Sequence, residues 1–439
     1  MNTVFGIIVG LIVLMLLVVA HELGHFIMAR KNGVTVKEFG IGFPPRGIAW
    51  VKNPEYEKWK KEHKTREKKV YERKTKTKRV ESKVEISKTE YIPEKPKKWL
   101  RLPKSEWKKP QKTLIFSINL LPIGGFCAMD GESDSDKRKG TFGAASFLGK
   151  TKILFGGVMM NWLVAFIILT ILAFVGMPHF IENQFSIGND TVIEAKPVTI
   201  SEVMDDSPAK KAGFEVNDAI VEVNGQQVIS GSQIISYNKE NAGKDVAYTI
   251  KRGDKEKEIE VKLNDSDAPY LLGVSMSQTG QTLYRSTWSA PIVGAITTVQ
   301  LTGETFRGLW NMVWDFCTGV VRQFSADETT RQAGQTAIKS AGDSVSGPVG
   351  MIGILFPAFT EAGPINLAFL AALISVSLAC MNVLPIPALD GGRWFLIALF
   401  RLRGKELSKE TEEKIVSRAF IFLLILIALI TILDLTRLF

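Results

Sequence analysis

The chain has 439 residues, a formal net charge of +10, 4 His and 3 Cys, and it is long enough for more than one folded unit. The cysteines, Cys127, Cys317 and Cys380, are odd in number and have no CxxC spacing, which excludes a disulfide framework and a thiolate metal site. Its 46% hydrophobic content averages very apolar stretches with a very basic one, so the chain has to be read segment by segment.

The first stretch, Val4 to Ala29, is an apolar run. It is too long for a signal-peptide core, lacks a basic leader and ends without a small-residue cleavage site, so it is expected to stay as a membrane span. Within it lies His21-Glu22-Leu23-Gly24-His25, an HExxH pattern. On a helix the two imidazoles project from one face and can share a Zn²⁺, while Glu22 stands where it can take a proton from an attacking water. The bland alternative, two ordinary helix histidines, suits a soluble helix. In hydrocarbon, an ionisable cluster is costly unless it has a shared role.

Between 51 and 112 the chain carries 23 Lys and Arg against 10 Glu, a surplus of 13. This stretch reads as a solvated insertion or as a surface that meets anionic lipid. No nucleic-acid reader motif accompanies it, so nucleic acid is not expected as a partner. The flanks, Phe39 to Trp50 and Thr113 to Gly125, are rich in Gly, Pro and apolar residues. They are expected to form the two arms of a β-hairpin that dips into the membrane, where an open edge could pair with an extended substrate or simply pack.

A second span is expected over Ile153 to Val175. Beyond it, the segment from Pro178 to Pro364 carries 15 Lys and Arg against 23 Asp and Glu. Basic residues crowd the opposite side, at Arg30, Lys31, Lys137 to Lys139, Lys150, Lys152, Arg401, Arg403 and Lys405. The positive-inside rule therefore puts the HExxH end of the first span near the cytoplasm and the long acidic segment outside. In that segment, Val203 to Val274 reads as an α/β module with Ser207-Pro208-Ala209, Ala212-Gly213, Asn217-Asp218 and Ile220-Val221-Glu222-Val223-Asn224-Gly225, then strands at 246–250 and 259–263. This succession resembles a PDZ domain, which could capture C-termini by strand addition or act by bulk. The 290–321 stretch reads as a helix with Trp310, Val313, Trp314 and Cys317 on one face, suited to the outer leaflet or to packing on the module.

The third apolar segment, Ile365 to Phe400, is interrupted by Asn382, Pro385, Pro387 and Asp390-Gly391-Gly392; a fourth runs from Ala419 to Leu433. Irregular backbone at membrane depth is tolerated only where it lines an internal site. Asp390 is thus the expected third zinc ligand, with helix capping as the alternative.

Taken together, HELGH at 21–25, NVLPIPALDGG at 382–392, the FGIGFPPR and LLPIGG segments, the PDZ-like order and SGPVG at 346–350 closely resemble the site-2 protease family of intramembrane zinc metalloproteases. The bacterial branch with one extracytoplasmic PDZ domain is the most similar. The resemblance implies His21, His25 and Asp390 as zinc ligands, Glu22 as general base and Asn382 as a donor to the substrate backbone or oxyanion. It implies single-pass membrane substrates, anti-sigma factors or remnant signal peptides, cut after a first extracytoplasmic cleavage. The basic 51–112 stretch departs from the family's usual hairpin. Rival readings are a non-catalytic membrane adaptor and a membrane zincin that cuts soluble peptides.

The expected architecture is a bacterial plasma-membrane protein with four transmembrane helices, a membrane-dipping hairpin and an extracytoplasmic α/β PDZ-like domain. Its expected divisions are 1–50 (first span and start of the hairpin), 51–112 (basic cytoplasmic insertion) and 113–177 (second arm and second span). They continue with 178–285 (PDZ-like domain), 286–364 (outer-leaflet helix and linker) and 365–439 (third, broken span and fourth span).

Overall fold

The computed structural model describes residues 2–56, 58–59, 96–107, 113–181, 183–194, 198–228, 231–253, 255–265, 268, 270–277, 283–343 and 347–438. Most of the basic stretch and Ser346 of the SGPVG motif fall outside them. Among the described residues four helices are long and apolar enough to cross a membrane: Thr3–Lys31, Phe147–Val175, Pro364–Val383 and Lys409–Ile432. The chain is a multi-pass membrane protein built from two compact units.

The first unit contains α1 (Asn2–Lys31), strands β1 (Val36–Lys52), β2 (Trp99–Arg101) and β3 (Ile115–Met129), and the front of α2 (Phe147–Val175). It is completed by later segments of the chain, including the back half of the first helix and all of the second helix of the broken third apolar segment described below. α1 has no acidic residue in its first turn and ends on Arg30 and Lys31, where cations oppose the negative pole of the helix.

β1 to β3 form one sheet in the order β2-β1-β3, with a register more folded than a two-armed hairpin. Ile41 pairs with both Gly125 and Ile118, and Ile118 pairs with both Ile41 and Ile48. Each long strand therefore doubles back on itself. Gly42 at φ 78° and Gly124 at φ 83° supply the left-handed backbone these folds need. Buried Glu38 holds the fold closed: it accepts from Arg46 Nε at 3.0 Å and from Ser117 Oγ at 2.7 Å. Trp50, Val51 and Lys52 pair with Arg101, Leu100 and Trp99, so the sheet continues into the far end of the stretch expected to be an insertion.

The second unit holds the module. After β4 (Met177–Pro178) and β5 (Val192–Glu194) come β6 (Val198–Val203), α3 (Pro208–Ala212), β7 (Ala219–Val223), β8 (Gln226–Gln227) and α4 (Gly231–Glu240). β9 (Asp245–Arg252), β10 (Lys255–Lys262), β11 (Val274–Ser277) and β12 (Leu283–Arg285) complete it. The main sheet runs β10-β9-β7-β6-β11, closed over a core that includes Ile200, Ile220, Ile234, Tyr248 and Ile250. The alternation along β9, with Val246, Tyr248 and Ile250 inward, is the two-residue period of a half-buried strand. Ser207 caps α3 by accepting from the Lys210 amide, and Gly213 ends it in the left-handed conformation, so the SPA…AG signal is a cap and stop. Asn217 at φ 74° adopts the left-handed turn conformation, which a short polar side chain tolerates.

The 290–321 stretch lies within α5 (Ala290–Gln323), which is followed by α6 (Glu328–Asp343) and, after a turn of π-helix at Met351–Leu355, by α7 (Phe356–Glu361). Trp310 and Trp314 stack with ring centroids 6.3 Å apart on an exposed face. The third apolar segment is two helices, α8 (Pro364–Val383) and α9 (Asp390–Leu402), and the last helix is α10 (Lys409–Leu438). α10 begins ten residues before the apolar run at Ala419, with a charged first turn.

Candidate metal centre

α1 brings His21 and His25 to one face, and both are buried. Opposite them, α8 ends at Val383 and a turn delivers Asp390 as the first residue of α9. Pro385 and Pro387 have no amide to continue a helical ladder, and the Leu389 amide closes on the Ile386 carbonyl at 2.8 Å. Gly391 and Gly392 let the turn fold tightly onto α9: a Cβ on Gly392 would lie 1.9 Å from the Ile386 oxygen. Leu389 is the N-cap and no side chain caps the helix, so Asp390 is free of the capping role.

Its carboxylate turns instead to the histidines. Asp390 Oδ2 lies 3.1 Å from His21 Nε2 and 3.2 Å from His25 Nε2, and the two Nε2 atoms are 3.1 Å apart. Three ligand atoms held about 2.0–2.1 Å from one ion at tetrahedral angles lie roughly 3.3 Å from one another. The triangle has that size and that donor set. Hydrogen bonds alone account for it poorly: two N–H groups aimed at one carboxylate oxygen would face each other across 3.1 Å. The residues fit a zinc ion.

The surrounding groups hold the rings. His25 Nδ1 lies 2.8 Å from the Ile153 carbonyl, which can only accept; Nδ1 therefore carries the ring proton and Nε2 presents its lone pair. Asn161, fully buried, places its amide 3.3 Å from His21 Nδ1. Gly157 lies between these contacts, and a Cβ there would sit 2.5 Å from His25 Nε2 and 2.7 Å from His21 Nε2. Gly24 meets the same helix, where its Cβ would fall 2.1 Å from the Gly156 oxygen; small residues permit such close helix contact. Glu22 is beside the triangle, with Cys127 of β3 close to its carboxyl.

Asn382 lies near the end of α8, where a Cβ on Gly391, next to Asp390, would come 2.8 Å from the Asn382 backbone oxygen. Its Nδ2 donates to the Leu378 carbonyl of its own helix at 2.9 Å, while the other four expected site residues gather around the triangle. Ile153, Gly157 and Asn161 were not singled out by sequence reasoning. The available signal was a Gly-Gly pair and an Asn inside an apolar span, with Asn161 and Ile153 both spaced four from Gly157.

Comparison with known proteins now adds to the geometry. The sequence profile of Peptidase family M50 matches residues 9–57 and 100–427. The regulator of sigma-W protease RasP of Bacillus subtilis is 26% identical over 456 aligned residues, covering 96% of this chain and 96% of that protein. The zinc metalloprotease RasP of Oceanobacillus iheyensis is 25% identical, covering 96% and 97%, and the probable protease eep of Enterococcus faecalis is 24% identical, covering 99% of each. Among solved structures, the PDZ domain of an SdrC-like protein from Listeria monocytogenes aligns with 19% of this chain and 88% of its own at 27% identity, with a TM-score of 0.17.

Proposed function

Because this chain belongs to peptidase family M50, the site-2 proteases, and is a zinc metalloprotease, we propose that it hydrolyses a peptide bond within the transmembrane segment of a single-pass membrane protein. The observation that carries this reading is the triangle of His21, His25 and Asp390 at the buried face of an apolar helix. These three residues would hold the zinc ion, which when bound supplies a Lewis acid able to lower a water's pKa to about 7. Glu22, adjacent to the ligands in sequence, takes the proton from the attacking water and returns it to the leaving amine. Asn382 donates to the substrate backbone or oxyanion; one N–H of its Nδ2 is taken by the Leu378 carbonyl, and the other is left to donate.

A transmembrane helix hides its carbonyls in internal hydrogen bonds and has to unwind to be cut. The sheet that brings Cys127 to Glu22 suits this step, since a strand edge can pair with an extended chain. Exposed Phe43, Ile48, Leu120 and Leu121 on its folded strands support a sheet that dips into the bilayer.

The substrates are anti-sigma factors or remnant signal peptides, trimmed first outside the membrane; the name of the Bacillus subtilis relative supports the former class. The protein sits in a bacterial plasma membrane with the metal centre near the cytoplasmic face and the PDZ-like module (178–285) outside, where it admits only trimmed substrates. The divisions at 1–50, 51–112, 113–177, 286–364 and 365–439 follow this topology, with the 286–364 helix on the outer leaflet and 51–112 meeting anionic lipid.

Glu22→Gln should retain zinc and lose cleavage of a transmembrane peptide in detergent. Normal turnover by this variant rules out the base assignment. Faster cleavage of a soluble peptide than of a transmembrane one would favour surface proteolysis instead.

A further inference from the structure

The helices carrying the site run past each other so that α1 and α2 match one turn at a time. On α2, Ile153, Gly157 and Asn161 are spaced i, i+4, i+8 and share a face. On α1, His25 lies against Ile153, both rings lie against Gly157, and His21 lies against Asn161. The first of these contacts has a clear chemical consequence: the Ile153 carbonyl fixes the His25 proton on Nδ1 and frees Nε2. His21 presents Nε2 to the same triangle and needs the same arrangement.

The group that faces His21 Nδ1 is the Asn161 amide, at 3.3 Å. It is oriented with Nδ2 toward the ring, while its Oδ1, also buried, has no partner among the described residues. A donor at Nδ1 forces the ring proton onto Nε2, where it would block ligation. The oxygen and nitrogen of an amide are exchanged by a half-turn that barely changes its shape. With Oδ1 toward the ring, Asn161 accepts from Nδ1–H, and the amide nitrogen takes the position the oxygen held. Asn161 is also held from the far side, where its backbone carbonyl accepts from buried Ser375 Oγ of α8 at 2.8 Å.

We infer that Asn161 is a positioning residue of the metal centre, whose side-chain oxygen accepts the His21 Nδ1 proton and so selects the tautomer that can bind the metal. This inference rests on the reading of His21 as a zinc ligand. It assigns matching roles to two turns of α2: a backbone carbonyl orients one imidazole and a side-chain carbonyl orients the other.

The test is metal affinity of the full-length protein in detergent, measured by chelator competition with Zn²⁺ and by the absorbance of added Co²⁺. Asn161→Leu keeps the approximate shape and removes the acceptor, and should weaken binding about 10–100-fold, the usual effect of losing such an outer partner. Asn161→Asp retains an acceptor oxygen and should bind at least as tightly as the parent. In ¹⁵N spectra the His21 ring of the parent should carry its proton on Nδ1, and it should lose that preference in the Leu variant. Unchanged affinity in Asn161→Leu overturns the inference, as does a tenfold or greater loss in Asn161→Asp. If the Leu variant does not fold, the Asp variant and the parent spectrum decide alone. His21→Ala separates the two levels: retained zinc there removes His21 from the ligand set, whereas lost zinc with intact affinity in Asn161→Leu removes only the role of Asn161.

Discussion

Asp390 opens α9 without capping it, and its carboxylate is spent on two imidazoles from a helix 365 residues or more away in sequence. Asp390→Asn keeps the volume but replaces a charged carboxylate oxygen by a neutral amide. Zinc retention should fall by more than the roughly 10–100-fold expected for an outer partner, as read by elemental analysis after dialysis against a chelator; full retention would remove Asp390 from the ligand set. The histidines, Glu22 and Asp390 were all legible as chemistry, because ionisable groups inside apolar stretches need a shared purpose. Asn161 was not, since a single buried amide in a span has many possible partners and its neighbour is fixed only by helix packing.

The elements explain why the site is so closely fitted. α2 can approach α1 only because Gly24, Gly156 and Gly157 have no side chains at the crossing. Gly157→Ala would place a methyl 2.5–2.7 Å from both imidazoles, and overpacking of this kind costs about 1–3 kcal/mol. We expect a lower melting temperature together with lost zinc binding, both measurable on the purified protein; a variant with the parent's zinc content would show that the rings have room to move. The sequence pattern anticipated a break in the third apolar segment from its prolines and glycines, and the break is there between Val383 and Asp390. It did not anticipate that β1 and β3 double back, because the pairing of Ile118 with both Ile41 and Ile48 depends on long-range register and not on local propensity. Nor did it resolve the polar helix α6.

At the scale of the whole molecule, ion pairs secure each unit separately. In the first unit, buried Glu412 at the start of α10 accepts from Arg393 Nε at 3.1 Å, from Ser133 Oγ at 3.1 Å and from the Asp134 amide at 3.0 Å. Asp134 in turn pairs with buried Lys150. Arg393 follows Asp390 by three residues and Lys150 precedes Ile153 by three, so this network braces both helices close to the metal centre. In the module, buried Asp218 accepts from Arg252 Nε at 2.6 Å and from the Glu215 amide at 2.8 Å. Burial pushes the Asp218 carboxyl upward, but Arg252 and the Glu215 amide outweigh it and hold it below the ordinary value. A lowered folded-state pKa contributes stability that is present above the unfolded value, about 4, and is lost as the pH falls toward the folded one. Amide exchange of residues 198–277 in the full-length protein should therefore accelerate on acidification below about pH 4, and Asp218→Asn should flatten that dependence. An unaltered pH profile in the variant would show that other carboxylates govern the acid response. The chain order alone determined the chemistry and the class of the protein, because HExxH, the broken apolar segment and the PDZ-like succession are local patterns set by residue type and spacing. Only the tertiary structure decided which backbone carbonyl orients His25 and how the sheet reaches Glu22, because those contacts join segments over 100 residues apart and no local periodicity encodes them.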